Sequence, residues 1–454
     1  MSKTMGAAQQ DMSRRSFVQG AVCAGVGAAA MGALSSAQAF ADEAAEEETE
    51  AEEEAAEEEA EEAAEETEAE GEDESEELTW DLETDVVVCG CGAGGCAAAV
   101  AAADGGAEVI VIEKKSWLGG QMRRSGGGVA AAGSQVQEAL GVEDTADAYY
   151  DYWMATQDDM CDADLVRAIC DGSAGIIDWL IDDLGGQPVD EWDFDETSGD
   201  GMEYSIGPGL NIGIDYDTFA TYGAEAVPRC HWFTPNYDDP ILEDEDIVTW
   251  PSPGGTALWA IFENAFAERG IEPLTETSLV SLVTEPGSDE VLGVVASQGE
   301  EEIRIKARKG VVVATGNFTS NHEMFQNYTM YDFVTSDDLA GNGVLDQYDD
   351  NDGAGITAVL ALGGELVYPM AAVTVNEDGT ATGNSIMAGG MRVSPNAEAL
   401  NVFGEAIPRL YLAGITSGGR YMIFYPNCGS SLLSGFYLGK TAGEQIAALD
   451  SWEA

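Results

Sequence analysis

Positive charge and histidine are scarce in this chain. Its 454 residues include 18 Lys and Arg against 85 Asp and Glu, with only two His, and the net charge at pH 7 is −67. Such an acidic surface repels phosphate backbones and anionic lipid headgroups. We therefore expect no nucleic acid partner and no binding to anionic membrane surfaces.

Metal-binding and haem-binding motifs are also missing. The eight cysteines form neither a CxxC pair nor a CxxCH motif, so the sequence indicates no metal site and no covalent haem. Cys89, Cys91 and Cys96 fall in a turn where small residues are sterically required, and we interpret them as packing residues. Their spacing identifies no disulfide pair.

Long apolar runs are absent after residue 39, so we expect no stable membrane insertion of the mature chain. Before that point, Arg14 and Arg15 precede an apolar, small-residue stretch that ends in Ala37-Gln38-Ala39. This pattern is typical of a twin-arginine signal peptide, which we assign to residues 1–41. It predicts export of the folded, cofactor-loaded protein to the cell envelope or the extracellular space.

The signal is followed by an almost purely acidic segment. Between Asp42 and Glu77 there are 23 Asp and Glu and no Lys or Arg. Like charges four residues apart repel one another on a helix, so we interpret residues 42–79 as a solvated, disordered linker. Removing these carboxylates changes the net charge only from −67 to −44. The rest of the chain is therefore acidic as well, and a basic partner would suit it.

Residues 85–114 carry the strongest functional signal. An apolar run at Val86–Val88 leads into Gly90, Gly92 and Gly95 in GxGxxG spacing, and an Ala-rich helical stretch follows. A second apolar strand, 109–112, ends at Glu113. In such a βαβ unit the glycines allow a tight turn, close approach to a pyrophosphate and close helix packing, while the acid binds a ribose. The pattern predicts a dinucleotide site.

Further glycines and two later blocks indicate which dinucleotide. Gly119 and Gly120, with residues 125–128, form a second glycine-rich stretch, and the later blocks are VVVATGNF at 311–318 and IPRLYLAGITSGG at 407–419. In this order the chain, over about residues 83–450, resembles the flavoprotein family of fumarate reductases and 3-ketosteroid dehydrogenases. The resemblance implies FAD, bound non-covalently because residues 119–128 contain no histidine that could attach it.

The cofactor residues follow from the glycine loop and from this resemblance. We expect FAD to contact Gly90, Gly92, Ala93, Gly95, Glu113, Lys114, Gly120, Gln121, Ser125, Gly126, Gly127, Ala314, Thr315, Gly316, Gly414, Ser430, Ser431 and Leu432.

The substrate end of the site is indicated near the C-terminus. Residues 425–432, YPNCGSSL, resemble a stretch of 3-ketosteroid dehydrogenases in which a Tyr hydroxyl and a Gly amide bind a substrate ketone. The matching residues are Tyr425 and Gly429, and Arg420 is a further candidate catalytic residue. Two donors on one carbonyl oxygen stabilise the enolate formed as hydride moves. A structural Tyr that caps a turn is the alternative.

Two departures from the fumarate reductase pattern argue against a dicarboxylate substrate. Pro426 and Ser385 stand where that subgroup carries an Arg and a His, and only about twenty residues remain for its large cap. A dicarboxylate needs cationic partners. In place of the cap, residues 186–252 form an insertion rich in aromatic residues, among them Trp232 and Phe233, which is either a lid or a packed subdomain. Arg229 and His231 lie in it, and we interpret His231 as a packing residue.

Together these features predict a doubly wound α/β FAD-binding domain with a small inserted α+β lid. The expected segments are FAD-binding parts at 80–185, 253–320 and 389–454, the insertion at 186–252 and a reduced cap at 321–388. The predicted activity is hydride transfer between FAD and a carbon–carbon bond beside a carbonyl, on a neutral or aromatic enone, with an external electron donor such as a cytochrome. The alternatives are a non-enzymatic electron-transfer flavoprotein and a dicarboxylate reductase.

Overall fold

A computed structural model describes residues 78–157, 160–189, 205–207, 209–211, 227–245, 247, 253–328, 351–367, 374–375, 381–382, 390–422 and 425–453. The predicted signal and almost all of the predicted acidic linker lie outside these residues, as do Ser385 and most aromatic residues of the 186–252 insertion. The assignment of these segments therefore stays a prediction.

The described strands and helices alternate along much of the chain. The strands are β1 (Leu82–Cys89), β2 (Val109–Ile112), β3 (Val129–Ala130), β4 (Ser205–Gly207), β5 (Leu210–Asn211), β6 (Cys230–His231), β7 (Thr277–Thr284), β8 (Val291–Gln298), β9 (Glu301–Val313), β10 (Leu366–Val367), β11 (Thr374–Val375), β12 (Ala381–Thr382), β13 (Gly390–Met391), β14 (Glu398–Leu400) and β15 (Ala406–Leu412). The α-helices are α1 (Ala93–Asp104), α2 (Gly120–Arg124), α3 (Gln135–Ala139), α4 (Ala146–Thr156), α5 (Ala163–Asp178), α6 (Gly254–Arg269), α7 (His322–Tyr328), α8 (Ala354–Ala361) and α9 (Ser430–Ala447).

The central sheet has the order β14-β15-β9-β1-β2, in which β15, β9, β1 and β2 run parallel. Val86, Val87 and Val88 on β1 are fully buried, with no alternation between inward and outward residues. A continuous apolar run is what a parallel strand covered on both faces requires. The observed sheet, with helices between its strands, confirms the predicted α/β fold.

Two antiparallel features accompany the parallel sheet. The strands β7 and β8 form a hairpin whose second strand pairs with the first half of β9. A separate small sheet, with the order β3-β6-β5-β4, joins the second glycine-rich segment to the 186–252 insertion. Through this sheet part of the insertion is held beside the FAD-binding segments.

Helices α1 and α9 pack side by side through residues with little or no side chain. A Cβ on Gly439 would lie 2.2 Å from the carbonyl oxygen of Gly94, and a Cβ on Gly443 would lie 2.4 Å from that of Ala98. Because contacts advance in the same direction on both helices, the helices are parallel. Their N-termini therefore point the same way, beyond the carboxyl ends of the strands.

None of the helices in the described part of the chain combines the length and the apolar composition needed to cross a bilayer.

Candidate active site

A cavity of about 330 Å³ lies where the parallel strands end. Strands β1, β2, β9 and β15 are followed by four residues of its wall, which are Gly90, Glu113, Ala314 and Gly414. In open α/β sheets ligands bind at this carboxyl edge, because the loops there diverge and leave a crevice. The sheet register thus gathers loops that are more than 300 residues apart in sequence.

Most of the predicted site residues line this cavity. They are Gly90, Gly92, Ala93, Glu113, Lys114, Gly120, Gln121, Ser125, Gly126, Gly127, Ala314, Thr315, Gly316, Gly414, Tyr425, Gly429, Ser431 and Leu432. Three predicted residues do not line it: Gly95, Ser430 and Arg420. Ser430 instead donates its hydroxyl to the carbonyl oxygen of Asn427, 2.8 Å away, inside the turn that begins α9.

The three glycines of the GxGxxG loop have different environments. Gly90 has φ +97°, and a Cβ there would lie 2.4 Å from the Ala314 carbonyl oxygen. A Cβ on Gly95 would lie 1.9 Å from the Gly90 carbonyl oxygen, so Gly95 serves the packing of helix on turn. Gly92 differs, because among the described residues nothing other than its own chain neighbours lies within 4 Å of its Cβ position, and the residue borders the cavity. Its lack of a side chain keeps open space that a pyrophosphate could fill.

Glu113 lies on the cavity wall with its carboxylate fixed by backbone amides. The amide of Cys91 donates to Oε2 at 2.8 Å, and that of Lys115 donates to Oε1 at 3.0 Å. A carboxylate has further acceptor capacity after two such bonds. Glu113 can therefore still accept hydrogen bonds from ribose hydroxyls. The adjacent Lys114 pairs with Asp352 at 3.0 Å.

Several residues of the cavity wall belong to none of the motifs identified in the sequence. Thr277, Ser278 and Leu279 come from β7, and Asn351 and Asp352 precede α8. Ile112 and Leu274 form a parallel bridge, which brings the start of the β7 hairpin beside β2. This pairing brings Thr277 to Leu279 to the cavity, whereas Asn351 and Asp352 are held by backbone bonds of their segment to Asn317 and Ser320. Both placements depend on long-range contacts, so local sequence offered no signal for these residues.

Residues 85–375 match the FAD binding domain family. The chain belongs to this family. Its site geometry fits the group, because a glycine turn, the N-terminus of α1 and a fixed carboxylate line one cavity. The prediction of FAD as cofactor is confirmed.

Two curated proteins resemble parts of this FAD-binding chain. The digoxin reductase of Eggerthella lenta is 40% identical over 65 residues, which are 14% of this chain and 12% of that protein. The NADH:fumarate oxidoreductase of Klebsiella pneumoniae is 24% identical over 215 residues, 47% of this chain and 18% of that protein. The matched segments thus span less than a fifth of either relative.

Among solved structures, the fold is similar to 3-ketosteroid-Δ4-(5α)-dehydrogenase from Rhodococcus jostii in complex with 4-androstene-3,17-dione. The TM-score is 0.65 at 23% identity, covering 83% of this chain and 99% of that one. This likeness establishes a shared fold. Family and fold together support the prediction of an FAD-dependent oxidoreductase.

Tyr425 and Gly429 meet on the cavity wall, just before α9. The Gly429 amide donates to the Tyr425 hydroxyl oxygen at 2.9 Å, and Gly429 has φ +86°. The two expected donors are therefore adjacent. The Gly429 amide, however, donates to the Tyr425 hydroxyl itself, whereas the sequence predicted that both groups would donate to one substrate carbonyl oxygen. An amide that donates to a hydroxyl oxygen polarises the O–H bond and makes the hydroxyl a better donor.

Helix α4 holds the segment that carries these two residues. Tyr149 donates its hydroxyl to Asn427 Oδ1 at 2.9 Å, Tyr152 donates to the Pro426 carbonyl at 2.6 Å, and the Trp153 indole donates to the Tyr421 carbonyl at 2.7 Å. All three donors are buried. The two residues that follow Tyr425 are thus held in place by buried donors, which restricts the movement of the segment that carries it.

Arg229 is buried behind this loop rather than in the cavity. Its guanidinium makes a bidentate ion pair with Asp144, at 2.7 and 2.8 Å, and stacks 4.7 Å from the ring centre of Tyr149. The arginine and aspartate side chains are 3% and 1% exposed. The pair is thus a structural support for α4.

His231 is a core residue of the small sheet. Its Nδ1 lies 2.8 Å from the Arg229 carbonyl and 3.1 Å from that of Val129, so Nδ1 carries the proton. Nε2 then accepts from the Ser134 hydroxyl at 2.6 Å. Burial lowers the pKa of His231 to about 4, against the opposing effect of the two carbonyls and of Asp144. The imidazole is neutral at pH 7.

Arg420 forms a charged cluster away from the cavity. It donates to Glu365 at 2.9 Å, and Arg392 donates to the other carboxylate oxygen at 2.8 Å. Burial raises the pKa of Glu365, but the hydrogen bonds and charges of the two arginines outweigh this and hold that pKa below its usual value. The proposed catalytic role of Arg420 stays a prediction that this position does not favour.

Metal ligands are not gathered in the described part of the chain. No group of three or more His, Cys, Asp and Glu side chains there is arranged to hold an ion.

Gly92 and Gly95 provide a paired test of the cofactor site. We expect Gly92→Val to fold with near wild-type stability in the absence of FAD but to lose FAD, because the added side chain meets cavity space only. Gly95→Val should instead destabilise the apoprotein by several kcal/mol, because its Cβ would overlap the Gly90 carbonyl. Flavin absorbance after purification and urea unfolding of the apoproteins measure the two effects. A Gly92→Val protein that keeps stoichiometric FAD would contradict this assignment.

His231 predicts a pH dependence of stability. Its folded-state pKa of about 4 lies below the ordinary value of 6.5. As pH falls from about 6.5 to 4, the unfolded chain gains a proton that the native chain does not, so the free energy of unfolding should fall by up to about 3 kcal/mol. Urea unfolding of the holoprotein at pH 7 and pH 5 measures this change in the free energy of unfolding.

The comparison protein is His231→Gln, which lacks the titrating group and should lose less stability between the same two pH values. His322, the other histidine, is present in both proteins and cancels. If both proteins lost the same free energy of unfolding between pH 7 and pH 5, the folded-state pKa of His231 would not be lowered.

Proposed function

We propose that this protein is an exported FAD-dependent oxidoreductase that acts on CH–CH groups beside a carbonyl, with a neutral or aromatic enone as substrate. The observation that carries the proposal is the contact of the Gly429 amide with the Tyr425 hydroxyl on the wall of the FAD cavity. When bound, FAD supplies the hydride-carrying N5 atom. The residues of the chain would bind and polarise the substrate.

In this proposal the Tyr425 hydroxyl donates to the substrate carbonyl oxygen. Negative charge grows on that oxygen as hydride reaches the β-carbon of the enone, because the electron pair of the double bond is displaced towards the carbonyl, so the donor stabilises the transition state more than the substrate. A proton from solvent at the α-carbon then completes the reduction. The Gly429 amide assists through the hydroxyl, because it donates to the hydroxyl oxygen. The N-terminus of α9 begins at the next residue and adds positive potential to this wall.

The charges of the site favour a neutral substrate. Apart from three cations in the first 15 residues, every Lys and Arg lies in the described part of the chain, and among the residues lining the cavity only Lys114 is cationic. Lys114 is paired with Asp352, and Arg123, Arg229, Arg392 and Arg420 each pair with a carboxylate elsewhere. A dicarboxylate would find no cationic clamp.

The apolar part of the wall suits a flat, largely apolar molecule. Trp232 comes from the insertion, Met122 from α2 and Leu432 from α9, and all three border the same cavity as Tyr425. Aromatic and aliphatic walls with a few converging polar groups are typical of sites for such ligands. The solved relative that was crystallised with 4-androstene-3,17-dione, itself an enone, agrees with this substrate class.

We further propose that the enone is reduced and that the electrons come from an external donor such as a cytochrome. The strongly negative charge of the chain favours a basic partner. Desaturation is the reverse reaction, and the same residues of the cavity wall would serve it.

Reoxidation of the reduced holoprotein tests the proposed substrate class. After anaerobic photoreduction, we expect 4-androstene-3,17-dione or a simpler cyclic enone to restore the oxidised flavin spectrum, and fumarate to leave it unchanged. Reoxidation by fumarate alone would support the dicarboxylate alternative. Reoxidation by neither compound, but by a cytochrome, would support the electron-transfer alternative.

Tyr425→Phe tests the donor. We expect a folded, FAD-loaded protein whose kcat falls on the order of a hundred- to a thousand-fold, about 3 to 4 kcal/mol, with a smaller change in KM. The Gly429 amide, released from the hydroxyl, would keep activity above zero. Tyr437→Phe is the matched control, because Tyr437 lies on α9 outside the cavity lining. Loss of FAD or of stability in Tyr425→Phe, with turnover per flavin unchanged, would indicate a structural tyrosine.

The arginine pair tests export. Replacing both Arg14 and Arg15 by Lys should leave the protein in the cytoplasm with its FAD bound, because the pathway reads the arginines rather than their charge. Cell fractionation with flavin fluorescence measures this. Secretion of the double variant at the wild-type level would contradict the assignment of a twin-arginine signal.

A further inference from the structure

Two cysteines from distant parts of the chain meet beside the cavity. Cys230 lies on β6, and Cys428 lies 198 residues later, between Tyr425 and Gly429. Their sulfur atoms are 3.3 Å apart, and Cys428 borders the cavity. Gly128 provides the room, since a Cβ there would lie 2.4 Å from the Cys230 sulfur and 3.4 Å from that of Cys428.

Access separates this pair from the other cysteines. Of the seven cysteines in the described part of the chain, Cys428 alone is not fully buried. Cys91 and Cys96 are also close, with sulfur atoms 3.7 Å apart, but both are 0% exposed beneath the glycine turn. Burial raises the pKa of the Cys96 thiol well above its ordinary value, and both side chains are shielded from solvent, so a soluble reagent does not reach this pair. Among the cysteines that the structure describes, Cys428 is therefore the most accessible to a soluble reagent.

We propose that Cys230 and Cys428 are a reversible dithiol–disulfide site in the wall of the cavity, with a low-molecular-weight disulfide as redox partner. The Cys428 thiolate attacks one sulfur of the small disulfide and releases one thiol. Cys230 then attacks the Cys428 sulfur, and the second thiol leaves. The two protein thiols lose two electrons and two protons, and the small disulfide becomes two thiols.

Formation of the bond requires a small structural change with a large effect on the site. A disulfide is about 2.05 Å long, so the two sulfur atoms must approach by roughly 1.2 Å. The bond would tie β6, and through it the small sheet, to the loop that carries Tyr425 and Gly429. It would also remove a nucleophilic thiol from the cavity wall, where an enone would otherwise meet it.

Thiol counting on the whole chain tests the site directly. The FAD-loaded protein is reduced with dithiothreitol, freed of reductant under argon and exposed to oxidised glutathione. We expect the loss of two thiols per chain, no retained glutathione and one linked peptide pair that contains Cys230 and Cys428. Dithiothreitol should restore both thiols.

Single variants separate the two steps. Cys230→Ser should keep one glutathione on Cys428, because the second attack is lost, and Cys428→Ser should not react. Cys161→Ser, a buried cysteine outside the cavity lining, should behave as the wild type. A stable glutathione adduct on the wild-type protein, a linked pair with other cysteines or no reaction would each overturn the proposal. None of these readouts uses enone turnover, so the outcome is independent of the proposed function.

Discussion

The close contact between α1 and α9 is the constraint on which the site depends. Gly439 and Gly443 leave no space for side chains against the backbone of α1, so two parallel helices approach closely. Since they are parallel, both N-termini face the crevice at the carboxyl edge of the sheet. One begins at the turn containing Gly92, and the other begins after Gly429. The glycine turn at Gly92 and the segment at Gly429, both on the cavity wall, are thereby fixed relative to each other by one helix pair.

Charge pairing decides what the site can recognise. The chain has few cations, and the structure commits them to carboxylates: Arg229 to Asp144, Arg123 to Asp239, and Arg392 with Arg420 to Glu365. The Arg229–Asp144 pair is 3% and 1% exposed, so removing one partner there would leave an uncompensated buried charge. Recognition is left to hydroxyls, amides and apolar walls, which suits a neutral carbonyl compound.

The loop from Tyr421 to Gly429 joins structure to chemistry. Three side chains of α4 donate hydrogen bonds to it, two to backbone carbonyls and one to the Asn427 side chain. The ion pair of Arg229 with Asp144 supports α4 from the other side. Cys428 contacts Cys230 on the small sheet. A polar donor contributes to catalysis only if it does not have to reorganise during the reaction. The buried supports hold the residues beside Tyr425, as its proposed donor role requires, and the proposed disulfide between Cys230 and Cys428 would link the same segment to the small sheet.

The sequence alone determined the βαβ unit and the dinucleotide site, because these depend on local spacing: strand, turn, helix and acid follow within 30 residues. FAD in particular was implied by the resemblance of blocks spread over about residues 83–450. Tertiary structure alone decided which distant residues join the site. Thr277 to Leu279 reach the cavity through a bridge from Ile112 to Leu274, and Cys230 meets Cys428 through pairing of β6 with β3. Such pairings depend on the packing of the whole domain, and no local pattern encodes them. For the same reason Arg420, adjacent in sequence to the catalytic segment, lies in a separate ion cluster with Glu365.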